Sequence, residues 1–298
     1  MTIKWPDLRK QVDNIIETRG TALVLCHDNG EPVADSPILP PPISMEARDT
    51  RLAAGELSLT LPAVGKSGQA LPFVDYLVDK NLGVYDERGL IQPQTDELFM
   101  VVVCRRGQRL TYFIPDREAA GVESPETVSI EGMHLMTGLS FLPCPSVPKT
   151  WLPRFEQWGE DAAGKYRTPR DYAPVEIATK ADGYTVTGPA ERTIQRLIQD
   201  SLDAVNKAYG WSSDPAYVVD MSSTSRLSPV VNIRITDDSI WDTVAPVAML
   251  AGVDIDVDMW WPGDDPVPVR TGRSTEEVTL TTWAKPVGIV KVRQNERN

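Results

Sequence analysis

The sequence predicts an α+β fold, in which an N-terminal antiparallel β-barrel or sandwich domain precedes a C-terminal domain of sheet and helix. Residues 1–140 alternate apolar and polar side chains at period two in short stretches, which is typical of half-buried strands. Residues 175–298 instead alternate strand patterns with helix patterns. The chain contains 25 prolines in 298 residues, which favours strands, turns and extended connections over long helices.

The N-terminal domain begins with one predicted helix, because residues 5–18 space their apolar side chains along one helical face. A strand follows at residues 21–26, and the Asn-Gly after it favours the positive φ of a tight turn. Arg106 and Gly107 are predicted to form a hairpin turn, and Pro115 is expected to end the strand that follows it. The further strands predicted in this domain are residues 56–61, 98–105 and 108–114.

Residues 141–174 are predicted to form a Pro/Trp-rich extended arm between the two domains. The prolines disfavour regular structure, while the large aromatic rings offer apolar faces. Since exposed aromatic clusters usually mark interfaces, we expect the arm to bury its rings against another subunit. The candidate subunit-contact residues are Trp151, Phe155, Trp158, Tyr166 and Tyr172 in the arm, together with Trp260 and Trp261 further along the chain. For the last two, a sugar-stacking platform and simple core packing are the alternatives.

The C-terminal domain opens with a predicted strand at residues 184–187 and a helix at residues 189–208. Gly188 is the expected N-cap of this helix, and Pro189 fits its first turn. Glu191 is expected to act as a capping carboxylate, because negative charge is favourable at a helix N-terminus. The apolar side chains of the helix share one face, so we expect it to pack on a sheet.

A second strand and helix, followed by a final strand, complete the predicted domain. Residues 230–235 alternate as a strand, and Asp237 or Asp238 is expected to cap the next helix. Gly252 is expected to end that helix, and Pro246 within it is expected to kink it. The final strand alternates apolar residues with three acidic ones, Asp254, Asp256 and Asp258.

Charge and cysteine content exclude several classes of function. A net charge of −12 would repel a phosphate backbone, so nucleic acid is not expected as the main partner. The longest apolar run, residues 98–104, is far shorter than the ~20 residues of a membrane span, and the N-terminus does not resemble a signal peptide. Three cysteines without a Cys-x-x-Cys pair predict reduced thiols in a cytoplasm rather than a disulfide framework or a zinc site.

Motifs for catalysis and for cofactors do not occur in the sequence, so we expect no enzyme, no cofactor and no metal site. The nucleophile elbow, the zincin motif and the dinucleotide-binding glycine pattern are all missing. The three alternating aspartates resemble the start of a calcium loop, but Met259 stands where that loop needs glycine, which favours a solvent-facing strand. Residues 235–269 contain eight aspartates and no Lys or Arg, which indicates either a solvated face or a docking face for a basic neighbour. A pair of carboxylates for glycan hydrolysis has no fixed spacing in a sequence, so this kind of site stays open as an alternative.

Four stretches of the chain resemble a known family. They are YTVTGPAER at residues 184–192, RITDDSIWD at 234–242, LAGV at 250–253 and DTRLAAGELSLTLP at 49–62. In these stretches the chain resembles the tail-hub proteins of long-tailed bacteriophages, and it is most similar to minor tail proteins of phages that infect actinobacteria.

The resemblance implies a structural component of the virion tail tip, made in the bacterial host cytoplasm and similar to the trimeric baseplate hubs of contractile tails. It implies a homo-oligomeric ring, a trimer by that analogy, which connects the tail tube, the tape measure protein and host-recognition proteins. The implied partners are the distal tail protein, other minor tail proteins and the tape measure protein. The alternative functions are a cell-wall carbohydrate-binding module that uses Trp260 and Trp261, and a carboxylate-based glycan hydrolase.

Overall fold

The fold is described from a computed structural model that covers residues 4–79, 88, 98–122, 124–146, 156–172, 184–271 and 277–295. Two compact units divide the chain. Unit 1 comprises residues 1–137, 256–267 and 280–290, and unit 2 comprises residues 138–255, 268–279 and 291–298. This division differs from the predicted order of domain, arm and domain (1–140, 141–174 and 175–298). Local alternation predicts that a segment is a strand, but it carries no information about the core to which that strand contributes.

Unit 1 contains a six-stranded antiparallel sheet. Its strands are β1 Thr21–His27, β2 Ser44–Ala47, β3 Glu56–Pro62, β4 Phe99–Arg105, β5 Gln108–Ala120 and β6 Thr127–His134. The strand order is β1-β4-β5-β6-β3-β2. Leu57, Leu59 and Leu61 of β3 are buried while the residues between them are not, as the period-two pattern predicts. With the helices described below, the fold is α+β, which confirms the predicted class.

Helix α1 Trp5–Arg19 in unit 1 confirms the predicted N-terminal helix. Leu8 and Val12 form its buried face, and Gly20 ends it in the left-handed conformation with φ 79°. A short helix, α2 Pro72–Val74, continues into a π-helical turn at Asp75–Asp79.

The predicted turns of the first domain are present, but one predicted strand end is wrong. Gly30 and Gly107 both have positive φ, as tight turns after β1 and β4 require. Pro115 does not end β5, which continues to Ala120. The pairing of β5 with β6 instead shifts register between Phe113 and Asp116, and this bulge accommodates a residue that lacks an N–H donor.

The remaining elements follow in the second half of the chain. The helices are α3 Gly138–Phe141, α4 Ala190–Tyr209 and α5 Ile240–Ala251. The strands are β7 Glu156–Asp161, β8 Gly164–Tyr172, β9 Thr185–Pro189, β10 Tyr217–Asp220, β11 Val230–Arg234, β12 Val253–Trp260, β13 Val267–Arg270, β14 Val278–Thr281 and β15 Val287–Gln294. They form one three-stranded sheet in the order β10-β15-β12, and three two-stranded sheets that pair β9 with β11, β13 with β14 and β7 with β8. No helix within the described ranges is long and apolar enough to cross a bilayer.

Helix α4 confirms the predicted amphipathic helix, although its first turn differs from the expectation. Pro189 occupies the N-cap position, and its ring has no atom that can accept a hydrogen bond from the first turn. Glu191 lies in the first turn of α4, where its charge is expected, but its carboxylate accepts hydrogen bonds from the backbone N–H and the hydroxyl of Thr224 rather than from the helix. Ser228 accepts the hydrogen bond from the N–H of Glu191. Glu191 therefore also holds the loop before β11.

Helix α5 has the predicted C-terminus and a different N-cap. Gly252 ends it with φ 70°. Ser239 is the N-cap, and its hydroxyl oxygen accepts a hydrogen bond from the N–H of Asp242 at 3.0 Å. Asp237 has φ 64°, so this residue belongs to the turn before the helix. The two preceding aspartates lie too early in the chain to reach the free N–H groups of the first turn.

Candidate interaction site: an aromatic hairpin

The proline-rich segment predicted as an extended arm contains a β-hairpin. Strands β7 and β8 pair antiparallel, with Trp158 opposite Arg170. The register shifts between Trp158 and Glu160, and Pro169 falls in the part of β8 that this irregularity leaves out of the ladder. A proline is tolerated there because no ladder hydrogen bond needs its missing N–H.

The turn of the hairpin is closed by Asp161. Its carboxylate accepts a hydrogen bond from the N–H of Ala163 at 2.8 Å and another from the hydroxyl of Tyr166 at 2.9 Å. The hydrogen bond from Tyr166 lowers the pKa of Asp161, and the N–H of Ala163 adds to this effect. Gly164 follows with φ 130°, a conformation that other residues rarely adopt. The hairpin is therefore ordered by its own side chains.

One face of the hairpin carries an aromatic cluster, here called the aromatic face. The ring centroids of Trp158 and Tyr172 lie 5.2 Å apart. The hydroxyls of Tyr166 and Tyr172 lie 3.4 Å apart, and the guanidinium of Arg170 lies 4.5 Å from the centre of the Tyr166 ring. Gln157 donates a hydrogen bond to Asp171, and by strand alternation this polar pair belongs to the opposite face.

The aromatic face remains accessible to solvent. Trp158 is 50% exposed and Tyr172 is 37% exposed, and only Tyr166 among the described hairpin side chains is half-buried. A two-stranded hairpin is marginally stable by itself and normally needs a further strand or a packed face. An uncovered aromatic face on such a hairpin is therefore a candidate interaction site.

Three of the seven predicted contact residues, Trp158, Tyr166 and Tyr172, meet in this cluster. Trp151 and Phe155 lie outside the described residues. The sequence analysis missed Arg170, although a signal was present. Tyr166, Arg170 and Tyr172 are separated by even numbers of residues, which places them on one side of a strand.

Trp260 and Trp261 lie in the interior of unit 1, as the core-packing alternative proposes. Trp260 is 5% exposed, and its Nε1 donates a hydrogen bond to the carbonyl of Asp265. Trp261 is 1% exposed, and the guanidinium of Arg109 lies 4.2 Å from its ring centre. Rings buried in this way offer no stacking platform to a sugar and no exposed face to another subunit.

A cluster of titratable side chains in unit 1 surrounds His134. This residue is 4% exposed, its Nδ1 accepts a hydrogen bond from the N–H of Met136, and its Nε2 has no partner among the described residues. Burial lowers the pKa of His134, while the charges of Asp256, Asp49 and Asp258 oppose that shift. The pKa of Asp256 is raised, because protein atoms displace water from its carboxyl and because Asp258 repels its charge.

The lowered pKa of His134 makes stability depend on pH in a defined direction. As pH falls below the ~6.5 of an unfolded histidine, the unfolded chain takes up the proton first, so the folded state loses up to about 1.4 kcal/mol per pH unit until the folded pKa is reached. We expect His134→Gln to make the melting temperature depend less on pH between pH 7 and pH 5. The matched control is His27→Gln, at the other histidine of the chain, and thermal melts of both variants provide the comparison. Equal slopes in the parent and in His134→Gln would contradict the expectation.

Strand β12 alternates buried and more exposed side chains, as its sequence predicts. Val253, Ile255 and Val257 are buried, while the aspartates between them are half-buried or exposed. No group of three or more His, Cys, Asp or Glu side chains within the described ranges is arranged to hold a metal ion.

We expect replacement of all three β12 aspartates by Asn to leave the fold intact, and calcium to leave the melting temperature of the parent unchanged. Alternate residues of a strand lie about 7 Å apart, which is too far for their carboxylates to share one ion without further ligands. Thermal melts with micromolar calcium test this. A calcium-dependent rise in the parent that vanishes in the triple variant would make the strand a metal site.

Comparisons with known proteins give limited similarity. No protein-family model matches the sequence, and no curated protein matches it. The structure is similar to a tail protein from Neisseria meningitidis MC58, with a TM-score of 0.36 and 12% identity, over 92% of this chain and 50% of that chain. It is also similar to a chain of the Francisella PdpA-VgrG complex, with a TM-score of 0.33 and 9% identity, over 99% of this chain and 35% of that chain. The chain thus spans half the length of the first protein and about a third of the second. At these TM-scores neither likeness assigns the chain a fold or a function.

Proposed function

We propose that the protein is a structural component of a phage tail tip, which acts as a homo-oligomeric hub and performs no catalysis. The observation that carries the proposal is the uncovered aromatic face of the β7–β8 hairpin. Exposed rings that are already held in a fixed arrangement lose little conformational entropy on binding, so they suit a permanent protein contact. A hub subunit needs such a contact to join its neighbours.

The residues of the family resemblance support the same proposal. The segment 184–192 forms a strand that leads into α4, and the segment 234–253 forms the end of β11, then α5 and the start of β12. These are the strand–helix units that the sequence predicts for the C-terminal domain, and they contain the stretches that carry the resemblance. In the proposed assembly the ring is trimeric and lies at the tip of the virion tail, where it contacts the distal tail protein, other minor tail proteins and the tape measure protein.

The proposal predicts that the aromatic face drives self-association. We expect the parent to sediment as an oligomer, and the double variant Trp158→Ala/Tyr172→Ala to sediment as a monomer with an unchanged melting temperature. Loss of a central aromatic anchor typically costs 2 kcal/mol or more of binding free energy, which is about thirtyfold in affinity. Sedimentation velocity over a concentration series measures both species.

A matched control is available at the end of α4. Tyr209 and Trp211 form another exposed aromatic pair, stacked with ring centroids 4.9 Å apart. We expect Tyr209→Ala/Trp211→Ala to assemble like the parent. A parent that stays monomeric up to its solubility limit would contradict the proposed function, and so would a hairpin variant that assembles normally.

The alternative functions give different results with isolated host cell wall. Sugars released into solution would indicate the glycan hydrolase. Retention on the wall without release would indicate a carbohydrate-binding module. The proposed hub requires neither result.

A further inference from the structure

The two-stranded sheet of β9 and β11 in unit 2 has an open edge. At the two ends of the β11 ladder, the N–H of Ala190 donates to the carbonyl of Pro229 and the N–H of Ile235 donates to the carbonyl of Tyr184. In an antiparallel ladder only every second residue of a strand directs its N–H toward the neighbouring strand. The N–H groups that point away from β9 are therefore those of Val230, Asn232 and Arg234. None of these three N–H groups has a partner among the described residues. An open strand edge of this kind is a template for pairing with another strand.

The segment before β11 is anchored by side-chain hydrogen bonds and displays exposed apolar side chains. Glu191 accepts hydrogen bonds from Thr224, and Ser228 donates a hydrogen bond to the side chain of Gln294. Between these anchors Leu227 is 92% exposed, and Val230 at the start of β11 is 70% exposed. The fixed loop thus presents an apolar surface that no described part of the chain covers.

The open edge of β11 and strand β7 of the hairpin carry charges of opposite sign. Strand β11 carries Arg234 and no acidic residue, while Asp237 and Asp238 follow it in the turn before α5. Strand β7 carries Glu160 and Asp161 near its end and no basic residue. Each surface also has an exposed apolar side chain, Val230 at the start of β11 and Trp158 within β7. Opposite charges beside apolar side chains favour one pairing and disfavour contact between two identical edges.

We propose that the β7–β8 hairpin of one copy docks on the β11 edge of a second copy of this chain, with β7 added as a strand beside β11. The inference rests on the proposed function, since it names the partner of the aromatic face. Two ribbons that are each marginal alone become one four-stranded sheet, and the rings of the hairpin cover Leu227 and Val230. The two surfaces differ, so the contact is head-to-tail and repeats from subunit to subunit until the ring closes.

A complementation experiment with full-length chains tests this arrangement. Variant one is Trp158→Ala/Tyr172→Ala, which has a defective hairpin and an intact edge. Variant two is Leu227→Asp/Asn232→Pro, which has an intact hairpin, while its proline removes an outward N–H that no ladder bond of β11 uses. We expect each variant alone to be monomeric. Their equimolar mixture is expected to form a dimer and no larger species, because only one productive contact exists per pair.

A charge exchange at the same contact keeps the test independent of folding defects. Glu160→Lys and Arg234→Glu each change an exposed side chain, and each is expected to weaken assembly about fivefold. The double variant is expected to recover parental affinity, because its lysine at position 160 again faces an opposite charge, the glutamate at position 234 of the next copy. Sedimentation velocity measures all seven samples, the parent included.

The outcomes separate this inference from the proposed function. A monomeric parent would overturn both. A parent that assembles while variant two also assembles, or a mixture that stays monomeric although the parent assembles, would overturn the head-to-tail contact and leave the hub proposal standing. Failure of the charge exchange to restore affinity would overturn the placement of β7 beside β11.

Discussion

Ile198→Asp is expected to unfold unit 2. Ile198 lies on α4 and is fully buried, so the substitution places an unpaired carboxylate in the core. The cost is several kcal/mol, against a total stability of about 5–15 kcal/mol for a typical domain. We expect the melting temperature to fall by about 10 °C or more, or the cooperative transition to disappear. Circular dichroism melts measure either result.

The matched control for this variant introduces the same charge on the same helix. Arg192 is exposed near the N-terminus of α4, where an acidic residue interacts favourably with the helix dipole. We expect Arg192→Asp to melt within about two degrees of the parent. If Ile198→Asp also melted within about two degrees, the assignment of the buried face of α4 would be wrong.

Arg270→Met is expected to produce the second largest loss of stability. The Arg270 side chain is 5% exposed, and its guanidinium donates hydrogen bonds to Asp200 at 2.7 Å and to Asp203 at 2.8 Å. Both acceptors lie on α4. Removal of the arginine leaves two partly buried carboxylates without their shared cation, which costs about 3–5 kcal/mol in comparable buried pairs. Thermal melts of the variant should therefore show a decrease of about 10 °C.

A compensated variant separates the loss of the ion pair from the loss of packing. Arg270→Met combined with Asp200→Asn and Asp203→Asn removes all three charges, so no uncompensated charge remains. We expect it to recover most of the stability that Arg270→Met loses. A compensated variant as unstable as the single variant would show that packing, rather than charge, makes Arg270 important.

Helix positions were the most predictable part of the fold. The apolar spacing in residues 5–18 and 189–208 predicts α1 and α4 to within two residues at each end, because burial of one face at the helical period determines both. Glycine at the end of α5 was equally informative, since the left-handed conformation of Gly252 strongly favours that residue. Caps were less predictable, because Ser239 and two aspartates compete within three consecutive positions.

The hairpin shows what local sequence patterns cannot reveal. The prolines of residues 141–174 predict irregular structure, yet Pro169 is compatible with β8 because the ladder is interrupted at that point. The sequence predicts the aromatic residues as one group of contact candidates, but their exposure depends on tertiary packing. Trp158 and Trp261 have equal apolar character, and only the fold leaves the first exposed and buries the second.

The open β11 edge could not be predicted either. Residues 230–235 alternate as any half-buried strand does, and whether a strand has one neighbour or two is decided by pairing with distant segments. Charge was a partial signal, because residues 221–236 lack acidic side chains in a chain with a net charge of −12. Its significance depends on the position of β11 at an edge.

Oxidative footprinting of Trp158 in the assembled oligomer tests the central claim most directly. In the free chain the ring is 50% exposed, so hydroxyl radicals should label it readily. If the aromatic face forms the contact between subunits, assembly should protect Trp158 by at least about tenfold, while Trp211 at the control site keeps its labelling rate. Equal labelling of Trp158 in the oligomer and in the free chain would contradict the account.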